Sequence, residues 1–235
     1  MWLIKMTVSK LVNGPILALE CCTDACSVAL QVDGKIYSRF QVVPRSHSKV
    51  MLEMVDQVIA EAAIDKKDLK ALAVTAGPGA FTGVRLGVSF AQGIAFGLDI
   101  PVYAVNTLDV IAQGAYVENP QVKSILSVLD ARMGEVYLAG YQIQNGQLQL
   151  EVQSGVFKPE ALPNLDVVSQ ALVCGTGWNV CKQALPKDVT SETENRLPSA
   201  VDIFPLLDNT QPMSAADLLP VYLRNEVTWK KLDQQ

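Results

Sequence analysis

Histidine is almost missing from this chain: among 235 residues His47 stands alone. Five cysteines accompany it, Cys21, Cys22 and Cys26 close together and Cys174 and Cys181 far downstream, and no pair has C-x-x-C spacing. An ordinary zinc set cannot be assembled from these residues, and cysteines within apolar segments read as packed core. A basic excess is missing too. The net charge of −5 and sequence pI near 4.9 disfavour a protein that grips nucleic acid unaided, leaving room only for a local basic patch. Met1 to Val8 is too short an apolar run for a signal peptide, which points to a cytoplasmic protein, and Met6 offers a second start. The most apolar stretch, Phe81 to Leu98, is interrupted by Arg85, Ser89, Gln92 and several glycines, so no membrane partner is expected.

What is present suffices for a globular protein. Apolar residues make up 49% of the chain, enough core for one large domain or two small lobes. Residues 16–20, 26–32 and 35–42 read as three strands, with Asp33-Gly34 as a two-residue hairpin turn. A helix over 46–63 follows, with apolar rows Val50, Met54, Val58 and Met51, Val55, Ile59, Ala62. A strand over 72–76, a helix over 83–97, a strand over 102–105 and a helix from about 107 to 116 complete a first unit. Three strands then recur over 124–130, 135–142 and 147–152, continuing with a strand over 167–174 and the turn Gly175-Thr176-Gly177. Residues 186–198 read as a polar surface loop, and 200–207 as helical. The pattern predicts an α/β protein with mixed sheets flanked by helices, a first lobe over 1–106 and a reduced second lobe over 107–235 whose tail returns to the first.

The richest local signal is Ala76-Gly77-Pro78-Gly79-Ala80-Phe81-Thr82-Gly83-Val84-Arg85-Leu86-Gly87. A buried strand ends at the glycine-proline turn, and Thr82 is placed to cap the helix behind it, a geometry that suits phosphate. Neither the P-loop lysine nor the G-x-G-x-x-G spacing is there, however. A second reading rests on spacing: Gly83, Gly87, Ala91 and Ala95 recur every four residues and form one small-residue row that another backbone can approach. Either a loop of this chain or a partner protein fills it, and the partner's helix is the reading preferred.

Two lobes that each open with a three-stranded meander resemble the actin, Hsp70 and sugar-kinase (ASKHA) fold. More specifically, Ala18-Leu19-Glu20 through Leu30, the Gly77–Arg85 turn, Asp130-Ala131-Arg132-Met133-Gly134-Glu135-Val136-Tyr137 and Pro220-Val221-Tyr222-Leu223-Arg224 resemble the bacterial TsaB (YeaZ) family over nearly the whole chain. That resemblance implies a non-catalytic subunit for N6-threonylcarbamoyladenosine at position 37 of tRNAs reading codons that begin with A. It implies dimerisation with a catalytic TsaD-like subunit, recruitment of a TsaE-like ATPase, tRNA contact only through the complex, and a homodimer when the chain is alone. A TsaD-type metal pair, His-x-x-x-His, cannot be formed with one histidine. The implied docking face comprises His47, Met51, Met54, Val55, Val58, Gly83, Arg85, Gly87, Phe90 and Ala91. Glu20-Cys21-Cys22 stands where the family has Asp-Thr-Ser, a poor copy of a magnesium-orienting turn. No cofactor is therefore required, with a weak ATP or ADP site left open at Asp130, Gly175 and Gly177. Two alternatives are a sugar-kinase-like phosphotransferase using Asp130 or Asp24 as base, and a peptidase using Cys21 or Cys22 with His47.

Overall fold

The computed structural model describes residues 13–194 and 196–224, so the Met1/Met6 start lies outside the described residues. β1 (Ile16–Glu20), β2 (Ala25–Val32) and β3 (Lys35–Val42) form an antiparallel meander. Asp33 (φ 49°) and Gly34 (φ 74°) both adopt the left-handed conformation that a two-residue type I′ turn demands. α1 (His47–Ala62) packs back over β2, and β4 (Ala71–Gly77) enters the sheet parallel to β1. β1 is buried at every position because it lies between β2 and β4 and is covered on both faces, hence its unbroken apolar run Ile16-Leu17-Ala18-Leu19. α2 (Phe81–Leu98) then leads to β5 (Val102–Asn106), parallel to β4.

The second lobe repeats the plan. α3 (Thr107–Glu118) is capped by the Asn106 side chain, which accepts the Leu108 amide at 2.8 Å. β6 (Ser124–Arg132), β7 (Glu135–Gln144) and β8 (Gln147–Phe157) form the second meander, with Asn145-Gly146 as its second turn. β9 (Leu172–Gly175) runs parallel to β6, followed by the short helix α4 (Trp178–Cys181) and β10 (Thr190–Glu194), parallel to β9. The chain then returns: a 3-10 segment, Ala200–Asn209, covers the face of the first sheet opposite α1 and α2, and β11 (Pro212–Met213) pairs with β5. Two mixed sheets, ordered β11-β5-β4-β1-β2-β3 and β10-β9-β6-β7-β8, are thus flanked by helices in the ASKHA manner.

Three local expectations are corrected. The anticipated strand over 167–174 is confined to Leu172–Gly175, because Asp166–Val168 forms a 3-10 turn. The anticipated loop over 186–198 contains β10, an edge strand whose polar sequence hid it, since its place comes from backbone pairing to β9. α2 begins at Phe81, with Ala80 at the cap position and no side-chain cap, so Thr82 lies inside the first turn.

The reason α2 starts early lies in how its N-terminus meets the β1–β2 turn. A Cβ on Gly79 would collide with the Cys22 carbonyl oxygen, and one on Gly83 with that of Cys21. The Ala80 amide donates to the Cys22 carbonyl at 2.7 Å, and the Cys21 thiol to the Gly83 carbonyl at 3.1 Å. On the opposite side of α2, a methyl group added to Gly93 would meet nothing within 4 Å. Gly83→Ala is therefore expected to lose about 2 kcal/mol or more through overpacking, roughly 4–8 °C in thermal midpoint. Gly93→Ala should gain about 0.5–1 kcal/mol from helix propensity. Calorimetric melting of the two variants beside the parent checks the contrast.

Candidate functional site

The ends of β4 and β6 face the boundary between the lobes, the interlobe cleft: the Val221 amide bonds Ala76 near the end of β4, and Arg224, three residues on, bonds Ala131 and Glu135 of the β6–β7 hairpin. Its first-lobe wall is the Glu20–Asp24 turn, the Gly77–Gly79 turn and the Asn106-Thr107 junction. Its second-lobe wall is the β6–β7 hairpin and the Gly175–Gly177 turn. Asn106 Nδ2 reaches Ser154 Oγ across the junction at 3.4 Å.

Most of the polar groups that could serve a phosphate or metal here are engaged within the chain. Glu20 is fully buried, and its Oε1 accepts the Cys22 amide at 2.6 Å, while Oε2 has no partner among the described residues. Burial pushes its carboxyl up to about 8, against the opposing pull of that amide, so near neutral pH it holds its proton. The Cys22 thiol lies 3.3 Å from the Thr75 carbonyl and 3.2 Å from its hydroxyl, and burial raises it to about 12. Cys21 is raised further by the same cause. His47 Nε2 sits 2.9 Å from the Thr23 carbonyl and 3.0 Å from that of Ala25, clamping the turn. Cys21, Cys22 and His47 are thus structural, and no thiolate–imidazole dyad is assembled. Across the cleft, Asp130 Oδ1 accepts the Arg132 amide at 2.7 Å while Oδ2 lies 3.2 Å from its guanidinium. Gly175 (φ 104°) lies against the Val128 carbonyl, which also accepts the Gly177 amide at 3.1 Å. These contacts fold both second-lobe turns onto their own strand. Asp130, one of the two bases named for the phosphotransferase alternative, thus lies in an ion pair with the exposed Arg132. Among the described residues, no group of three or more His, Cys, Asp or Glu could hold a metal ion, and no helix is long and apolar enough to cross a membrane.

Comparison with known proteins sets this geometry in a family. The family model described as tRNA N6-adenosine threonylcarbamoyltransferase, TsaD, matches residues 40–216. The tRNA threonylcarbamoyladenosine biosynthesis protein TsaB of Escherichia coli K12 is 39% identical over 227 residues, covering 92% of this chain and 97% of that protein. The TsaB of Haemophilus influenzae is 36% identical over 234 residues, covering 94% and 98%. The solved structure of YeaZ from Pseudomonas aeruginosa superposes with a TM-score of 0.83 at 35% identity, covering 90% of this chain and all of that one.

The chain belongs to the TsaB (YeaZ) family. The structure redistributes the docking residues expected of a TsaB-family chain. Met51, Met54, Val55 and Val58 are at most 5% exposed, because α1 turns that stripe onto its own sheet. Gly83, Gly87 and Ala91 are buried as well: the backbone that approaches the small-residue row is the chain's own Cys21–Cys22 turn, and Gly87 faces the Cys21 sulfur and Val74. Together with the clamped His47, these residues are corrected from surface to interior. Arg85 and Phe90 remain at the surface, half-buried. Sequence reasoning passed over the outward side of α2, where Phe96 is 80% exposed and Gly93 and Gly97 face open space. It also missed the aromatic seat of Arg85, whose guanidinium lies 3.2 Å from the Phe81 ring centroid and 4.8 Å from that of Tyr222. Phe81 lies one helical turn before Arg85 and is readable from spacing; Tyr222 comes from the far end of the chain.

Glu20 makes stability depend on pH. Between the ordinary carboxyl value of 4.5 and about 8 the folded chain keeps a proton that the unfolded chain has released, so stability falls as pH rises, by about 1.4 kcal/mol per unit at most, and levels off above 8. Glu20→Gln keeps an acceptor for the Cys22 amide and does not ionise. Its thermal midpoint should drop far less between pH 5 and pH 8 than that of the parent; equal slopes would refute the buried neutral acid.

Proposed function

We propose that this chain is a non-catalytic subunit in the formation of N6-threonylcarbamoyladenosine on tRNA, docking onto a catalytic TsaD-like subunit through the outer face of α2. A TsaE-like ATPase joins that pair, and tRNA is reached through the complex. The role in this modification rests on full-length kinship with the proteins named for it. The observation that carries the docking mode is the uncovered side of α2. Leu86 and Phe90 are only partly covered, Phe96 is exposed, and Gly93 and Gly97, four residues apart, let a second helix approach closely. When no catalytic subunit is available, the same face pairs two copies of this chain.

Support for a subunit without bond-making chemistry comes from the cleft. The Ala80 amide that a phosphate would need is given to Cys22, the Glu20 carboxyl is buried and neutral, and Asp130 is paired with Arg132. In this reading no nucleotide is required by the chain itself, and isothermal calorimetry with ATP or ADP should give weak binding or none.

Gly93→Leu and Phe96→Asp alter the outer face alone. Each should leave the melting temperature within about 2 °C of the parent, since neither side chain enters the core, yet weaken association with a TsaD homologue at least about tenfold. Native mass of the mixture and tRNA modification with and without this chain provide the readout. Full modification in its absence, or parental affinity in both variants, would refute the proposal. Val55→Glu, by contrast, should unfold the first lobe by burying a charge in the core.

A further inference from the structure

The extended segment after Leu218 crosses from one lobe to the other. Gln92 Nε2 donates to the Leu218 carbonyl at 2.8 Å, and the Val221 amide donates to the carbonyl of Ala76, near the end of β4, at 2.7 Å. Gly77 makes the seat: a Cβ there would stand 2.6 Å from the Val221 carbonyl oxygen, and its φ of 116° disfavours any side chain. Tyr222 lies against the Arg85 guanidinium on α2. One residue further on, Leu223 is followed by Arg224, which has already reached the second lobe. Its Nη2 donates to the Glu135 carboxylate and, at 3.2 Å, to the Ala131 carbonyl, while Nη1 lies 3.4 Å from the Met133 sulfur. Thus one guanidinium holds both sides of the β6–β7 hairpin.

Burial does not hold this segment in place. Leu219 is 69% exposed, Val221 41% and Tyr222 47%, whereas Arg224 and Glu135 are only 22% and 23% exposed at their side chains. Position is therefore set by polar contacts at two ends, one on each lobe. The chain itself passes between the lobes at Asn106–Thr107, where β5 meets α3, and again between β10 and the 3-10 segment Ala200–Asn209. The Pro220–Arg224 segment is a further attachment, joining the Gly77 turn to the β6–β7 hairpin.

We propose that Pro220–Arg224 is a strap that sets the opening of the interlobe cleft, seated on Gly77 at the first lobe and locked to the β6–β7 hairpin by Arg224 and Glu135. A mobile lobe joint needs a weak, reversible contact at its rim, and a partly exposed ion pair with one backbone hydrogen bond is of that strength. Opening breaks the Arg224 contacts and leaves both sheets intact. The inference concerns the chain alone and does not depend on its partner.

Hydrogen exchange read residue by residue on the full chain, with small-angle scattering alongside, tests it. Arg224→Ala and Glu135→Gln should each accelerate exchange of the Val221 amide and of the 131–135 hairpin by about tenfold or more, and enlarge the radius of gyration. Amides of β1 and β4 should keep parental rates. The double variant should be no faster than Arg224→Ala alone, because that change already removes the contact with Glu135 along with those to Ala131 and Met133. Arg224→Lys, which keeps the charge and loses the fork, should fall between. Glu135→Gln preserves shape and carries the test if Arg224→Ala does not fold. Unchanged exchange at Val221, equal acceleration throughout β1 and β4, or additive effects in the double variant would each overturn the strap.

Discussion

The close approach of the α2 N-terminus to the β1–β2 turn is the constraint from which much of the first lobe follows. Gly79 and Gly83 let two carbonyl groups, of Cys22 and Cys21, lie where side chains would otherwise stand. The Ala80 amide and the Cys21 thiol then tie helix and turn together. This contact fixes where α2 begins and which of its sides is pressed to the sheet. It also determines what remains outside. Because Gly83, Gly87, Ala91 and Ala95 are consumed inward, the side bearing Phe96, Gly93 and Gly97 faces outward.

The same contact governs the chemistry of the cleft. Backbone donors at a glycine turn serve an anion only while they point into empty space. Here one is given to the neighbouring turn, and Glu20 folds back onto Cys22 within a dry environment that keeps it protonated. The second lobe shows the parallel outcome: Gly175 and Gly177 settle on the Val128 carbonyl, and Asp130 turns to Arg132. In both lobes these turns have most of their polar groups satisfied within the chain.

Much of the architecture was legible in sequence because it is local. The Asp33-Gly34 and Asn145-Gly146 turns name their own backbone conformations, alternation and apolar runs mark both meanders, and the repeat of the meander marks two lobes. β10 escaped because an edge strand is recruited by pairing and requires no apolar signature. The start of α2 differs from its sequence-based position because Thr82 is a good cap by type, while the true position is settled by the carbonyl of the distant Cys22.

The sequence by itself determined which helix sides are apolar, that the row Gly83, Gly87, Ala91 and Ala95 invites a close backbone, and that one histidine and five cysteines without C-x-x-C spacing do not make an ordinary zinc set. Tertiary structure alone decided whose backbone answers that invitation. Periodicity records that a face is buried and carries no label for what buries it: a Met51–Val58 stripe reads the same against a partner helix as against β2. It also decided the union of Arg224 with Glu135, 89 residues apart, and of Arg85 with Tyr222. Contacts between distant segments depend on how the two sheets are placed in space, and no spacing rule along the chain encodes that placement.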